Sequence, residues 1–123
     1  MYLNLDGEKP IYVQMAEWIE ENILSGTFPE ETQIPSTTDI SAQYKINPAT
    51  ALKGVNILVD KGIIYKKRGL GMFVCKGAEE KLRSERKQEF FEKFVKTLLS
   101  EAEKLNITKS EIVDMIEKGG DNK

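Results

Sequence analysis

The chain has 123 residues, 40% of them hydrophobic and 31% charged, with a formal net charge of −2. That suffices for one soluble domain with a real core and a short appendage, without a disulfide or metal staple. A single cysteine excludes an internal disulfide and reads as a reducing, cytoplasmic setting, and the absence of any histidine removes the usual general base and metal ligand, so neither an enzyme nor a cofactor is expected.

No apolar run approaches the roughly 18 residues of a membrane span. Met1-Tyr2-Leu3-Asn4-Leu5-Asp6 lacks the basic start and apolar stretch of a signal peptide. Pro10 is suited to the first position of a helix. Ile11, Met15, Trp18, Ile19 and Ile23 then recur at helical spacing, with Glu17, Glu20 and Glu21 on the other side. Ser25-Gly26 stops that helix, and Phe28 to Gln33 reads as a loop. Ser36, with Asp39 three residues on, resembles a capping box opening a short helix from Thr37 to about Gln43. Asn47 and Pro48 open a third helix that runs to about Lys61 and stops at Gly62. Ala51, Val55, Leu58 and Val59 are its expected core face, and Gly54 marks a close approach to another helix. Ile63 to Lys67 and Met72 to Cys75 are two strands joined through Arg68-Gly69-Leu70-Gly71.

Three helices, a tight turn between the second and third, and a hairpin make a winged helix-turn-helix. Charge supports this independently. Up to Tyr44 there is one lysine against eight carboxylates. From Lys45 to Lys76 there are seven basic residues against one acidic, a net of +6. From Gly77 onward, ten basic residues face eleven acidic ones. The basic block falls on the third helix and the wing, the two elements that meet DNA in this architecture, so double-stranded DNA is the expected partner.

From Ala78 to Leu105 there is no glycine or proline, and one long helix is expected. Its stripe of Leu82, Phe90, Phe91, Phe94, Val95, Leu98, Leu99, Ala102 and Leu105 is too broad for two helices to bury. Asn106 can end the helix. Thr108 and Glu111 form a second capping box, opening a last helix with Ile112, Val113 and Ile116 inward. A homodimer covering Phe91, Phe94, Val95, Leu98, Leu99 and Ala102 is the expected arrangement; packing on the chain's own first helix is the alternative. The expected class is therefore mainly α (α+β), with a winged helix over residues 1–76 and a two-helix dimerisation tail over 77–123.

The ordered set Pro10-Ile11-Tyr12-Val13-Gln14-Met15, Ser25-Gly26-Thr27-Phe28, Ile34-Pro35-Ser36, Asn47-Pro48-Ala49-Thr50 and Arg68-Gly69-Leu70-Gly71-Met72-Phe73-Val74 resembles the N-terminal domain of GntR-family bacterial transcription regulators. The Asn-Pro-x-Thr opening of helix three, with Lys53 one turn inside it, and the short tail are similar to the YtrA-like subfamily. The resemblance implies a homodimeric repressor with two helices after the wing. Three departures stand out. Thr38 occupies a position where the family often has arginine. Asn47-Pro48 replaces Ser/Thr-Arg, and Leu70 replaces the lysine of a Gly-Lys-Gly wing tip. They imply weaker intrinsic affinity or a different operator.

Candidate DNA contacts are assigned by chemistry. Asn47, Ala49, Thr50 and Lys53 are placed on the leading face of helix three, with capping the first reading of Asn47 and a base contact the second. Ser36, Thr37 and Thr38 lie where a helix N-terminus favours a phosphate or simply a cap. Lys66, Lys67 and Arg68 supply wing charge, and Gly69 and Gly71 permit a tight turn close to DNA. The function expected is a sequence-specific regulator, a repressor on an inverted-repeat operator. The competing class is a winged-helix protein-interaction module that oligomerises through its tail. The operator, the regulated genes and any small-molecule effector are not read from the sequence.

Overall fold

The computed structural model describes residues 3–5 and 7–121. The signal-peptide reading at Met1, Tyr2 and Asp6, and the last charge counted, Lys123, lie outside the described residues. Three helices come first: α1 (Ile11–Leu24), α2 (Thr37–Tyr44) and α3 (Pro48–Asp60). Strands β1 (Ile64–Lys67) and β2 (Gly71–Val74) form an antiparallel hairpin pairing Ile64 with Val74 and Lys67 with Gly71. Helix α4 (Ala78–Phe90), a π-helical turn (Phe91–Val95), α5 (Lys96–Lys104) and α6 (Lys109–Asp121) follow. The chain divides into two compact units, one ending at Ser84 and one beginning at Glu85.

The first unit is a winged helix. Met15, Ile19 and Ile23 of α1 are buried against Ala51, Val55 and Leu58 of α3 and Ile63, Ile64 and Val74 of the hairpin. Trp18 closes one corner, edge-on to Phe28 at 5.7 Å and to Tyr44 at 5.6 Å. Local signals set the ends. Ser36 and Asp39 complete their capping box, with the Asp39 N–H donating to Ser36 Oγ at 3.0 Å. Asn47 Oδ1 accepts from the Ala49 N–H at 2.8 Å, with Pro48 at the first helical position. Lys45, at a φ of 54°, turns the chain between α2 and α3 and leaves Ile46 buried. Gly54 lets α1 approach α3: a Cβ there would stand 2.8 Å from the Tyr12 carbonyl oxygen.

Several expectations change. Pro10 is the N-cap of α1 rather than its first residue. Glu20, placed on the solvent side, is buried, its Oε2 held 2.6 Å from Lys61 Nζ. Residues 31–34 pair with β2 instead of forming a plain loop. The Glu31 and Ile34 N–H groups donate to the Val74 and Met72 carbonyls, and the Val74 N–H donates to the Thr32 carbonyl. Prolines at 29 and 35 keep that edge short, which hides its period-two pattern. The first unit also continues beyond Lys76, because Ala78 and Leu82 of α4 are buried in its core. Glu30 fixes this junction. Its carboxylate accepts from the Gly77 N–H at 2.9 Å and the Glu79 N–H at 3.2 Å, which holds its pKa below the ordinary carboxylate value.

In the second unit the expected unbroken helix contains the π turn, where the Lys96 N–H donates to the Phe91 carbonyl five residues back. A wider turn rotates the apolar stripe beyond it relative to the one before. Asn106, at a φ of 56°, ends α5. Thr108 and Glu111 form the second capping box, each backbone N–H donating to the other's side chain at 3.1 Å. Ile112 is buried, whereas Val113 and Ile116, expected inward, are 51% and 63% exposed. Ala102 and Ile112 are the buried apolar residues among the described residues of this unit. Among the described residues, no helix is long and apolar enough to cross a membrane.

Candidate nucleic-acid interface

A helix turns about 100° per residue, so burial along α3 defines its outward side. Ala51, Gly54, Val55 and Leu58 face the core. Ala49, Leu52, Lys53, Asn56 and Val59 face out. Val59, expected in the core, is 37% exposed because it lies one residue past Leu58, turned out of the buried sector. Thr50 is half-buried and sits beyond the Lys53 edge of the outward sector. Lys53 stands at that edge with Nζ 4.1 Å from the centre of the Tyr12 ring, whose face steadies a cation.

A groove of about 450 Å³ runs beside this outward side. Ser36, Thr37 and Thr38 from the start of α2 form one wall. Leu52, Asn56 and Val59 of α3 form its floor, with Lys66, Gly71 and Met72 of the hairpin opposite. Two parts of the expected set, the α2 start and the wing base, are thus brought to one groove. Leu52, Asn56 and Val59, not among the expected contacts, lie between them. The first turn of α2 directs free backbone N–H groups and the positive end of the helix dipole outward.

The wing is braced from the core side. Gln33 Nε2 donates to the Leu70 carbonyl at 2.7 Å across the turn. Gly69 and Gly71 hold φ values of 77° and 114°, and a Cβ at Gly71 would stand 2.7 Å from Gln33 Nε2. Both glycines are therefore required by the turn itself. Lys67 Nζ lies 4.5 Å from the Phe73 ring centre, and Lys66, Lys67 and Arg68 are exposed.

Ion pairing separates these cations from Lys9 and Lys61 of the same unit. Lys9 pairs with Glu17 at 2.8 Å and Lys61 with Glu20. Among the described residues, none of Lys45, Lys53, Lys66, Lys67 and Arg68 pairs with a carboxylate. Five unneutralised cations around one turn, one helix and one wing form a surface suited to a polyanion.

Comparison with known proteins agrees with this geometry. The family model described as "Bacterial regulatory proteins, gntR family" matches residues 11–74. The uncharacterized HTH-type transcriptional regulator YhcF of Bacillus subtilis is 30% identical over 110 residues, 88% of each chain. A crystal structure of a GntR-family regulator from Bacteroides thetaiotaomicron superposes with a TM-score of 0.77 at 33% identity, over 92% of this chain and 98% of that one. The DNA-binding domain of AraR, solved in complex with operator ORX1, matches 61% of this chain and 93% of its own at 27% identity and a TM-score of 0.55. These relatives are regulators rather than enzymes. With its winged helix, its ordered motifs and these matches, the chain belongs to the GntR family of bacterial transcription regulators.

Proposed function

We propose that this regulator binds an inverted-repeat DNA operator as a homodimer and represses by occupancy, and that it falls in the YtrA-like subfamily. The observation that carries the DNA reading is the set of unpaired cations on α3, its preceding turn and the wing. The AraR domain, of the same fold, is solved on its operator. In this reading α3 enters the major groove with Ala49 and Lys53 toward the bases. Asn47 caps the helix, and Thr50, on its flank, reaches toward the backbone. The Thr37 and Thr38 N–H groups receive a phosphate, Ser36 holds that helix end, and Lys66, Lys67 and Arg68 contact backbone. The subfamily assignment is supported by Asn47-Pro48, Thr50 and Lys53 and by the two helices after the wing.

Dimerisation is supported by the second unit. Phe91, Phe94, Leu98 and Leu99 are exposed within one chain, with Phe94 62% accessible. Val95 is half-buried and Ala102 is buried within one chain, so neither needs a partner to leave water. A second copy covers the four exposed side chains by a two-fold contact, which places two recognition helices for two half-sites.

The test is binding to an operator selected from a random duplex pool, measured against salt for the wild type and Arg68→Ala. Each phosphate contact contributes about 0.9 to the slope of log affinity on log salt. The reading predicts a steep slope that falls by about 1 in Arg68→Ala. A shallow slope, or an unchanged one in the variant, contradicts it.

A further inference from the structure

Leu52 is a large apolar side chain, 50% exposed on the outward side of α3. Asn56 lies one turn further on the same side, and its side chain makes no hydrogen bond with the described residues. Both line the groove, between the start of α2 and Lys66 of the wing. On the reading that α3 enters the major groove, on which this inference rests, backbone contacts from those two flanks hold the floor of the groove against base edges.

We propose that Leu52 and Asn56 are a specificity-determining pair that reads A·T base pairs, Leu52 packing on a thymine 5-methyl group and Asn56 bonding an adenine. Leu52 offers no donor or acceptor. A guanine or cytosine edge placed against it loses water and gains no hydrogen bond, whereas the thymine methyl gains an apolar neighbour. An asparagine amide matches adenine N7 and N6–H₂ in bidentate fashion. Four residues along the helix span about 6 Å, less than two base-pair rises of about 3.4 Å, so the two side chains meet adjacent or next-adjacent base pairs. Val59, about two turns from Leu52 on the same side, extends the apolar surface.

The test uses the full chain and an operator selected from a random duplex pool. Each thymine is replaced in turn by deoxyuracil, which deletes the methyl group and leaves the hydrogen-bonding edge intact. The wild type should lose about fourfold in affinity at one position per half-site, the factor that about 0.8 kcal/mol represents. Leu52→Ala should bind the thymine and uracil forms equally, and Leu52→Met should keep the discrimination. Replacing the partner adenine by 7-deazaadenine should weaken the wild type and leave Asn56→Ala indifferent. Binding of every variant to random duplex at low salt should match the wild type, which shows that the fold is intact. A wild type indifferent to every thymine methyl overturns the pair, as does a Leu52→Ala protein that still discriminates. A pool from which no sequence emerges overturns the DNA reading itself, and the pair with it.

Discussion

In the winged-helix unit most large apolar side chains are buried in one core, with Leu52 on α3 and Leu70 at the wing tip among the exceptions, and the cations of the turn, α3 and wing have no carboxylate partner. In the helical unit the pattern reverses. Lys93, Lys96 and Lys104 each lie within 4 Å of a glutamate three or four residues earlier, while Phe90, Phe91, Phe94, Leu98 and Leu105 are exposed. Surface ion pairs of this kind contribute little stability; it is the near balance of acidic and basic residues along this unit that leaves little net field to attract a polyanion. The first unit is complete as a folded body and incomplete electrostatically. The second is electrostatically quiet and incomplete as a hydrophobic body. On the proposed function each lacks a different partner, DNA for one and a second copy for the other.

Three predictions probe the self-sufficiency of the first unit against the second. The largest effect concerns its boundary. A fragment ending at Lys76 loses Ala78 and Leu82 from the core, and losing a fully buried leucine side chain alone costs about 2–5 kcal/mol. Against a typical total of about 5–15 kcal/mol, that fragment should lose a large part of its stability, with a urea midpoint well below that of a longer fragment. One ending at Ser84 should unfold cooperatively. Equal stability of the two would move the boundary back.

Gly54→Ala comes next. Alanine gains up to about 1 kcal/mol in helix propensity. Its Cβ would meet the Tyr12 carbonyl oxygen, which is backbone and cannot swing aside. Overpacking of this kind costs about 1–3 kcal/mol, so the variant should melt below the wild type. The same change at the exposed Gly119, which has open space, should not.

The smallest effect is the pH dependence of the Glu30 cap. Its carboxyl pKa is lowered by the Gly77 and Glu79 N–H groups. A lowered folded pKa gives stability that is full above the unfolded carboxylate value and lost as pH falls through the folded one. Glu30→Gln should therefore show a flatter decline of melting temperature with acid than the wild type. Parallel curves would remove Glu30 from the junction.

Much of the fold was legible because its signals are local. Both capping boxes, the left-handed Gly26 and Gly62, and the wing glycines are written within a few residues. Illegible features depend on groups distant in sequence. The buried Glu20 needs Lys61, the edge at residues 31–34 needs β2, and Leu82 needs the core of a unit that its own helix leaves. The π turn has no single-residue signature. At the site, one residue misled the reading. Counting Val59 as core rotated the inferred outward side of α3 toward Thr50 and hid Leu52 and Asn56. The stripe of Ala51, Val55 and Leu58 without Val59 points to the side the structure presents. The departures at Thr38 and Pro48 are consistent with this, since the unpaired cations lie on the turn, α3 and wing rather than at the start of α2.

The division of labour between the two units is tested most directly by Phe94→Glu, which places a charge on the exposed face of the second unit. Sedimentation equilibrium and operator binding would be measured in one buffer at micromolar protein, for the variant and the wild type. The account predicts a dimeric wild type and a monomeric variant. Operator affinity should fall on the order of 100-fold as the second half-site loses its effective concentration, with affinity for a single half-site unchanged. A monomeric wild type, or a monomeric variant that keeps full operator affinity, would contradict it.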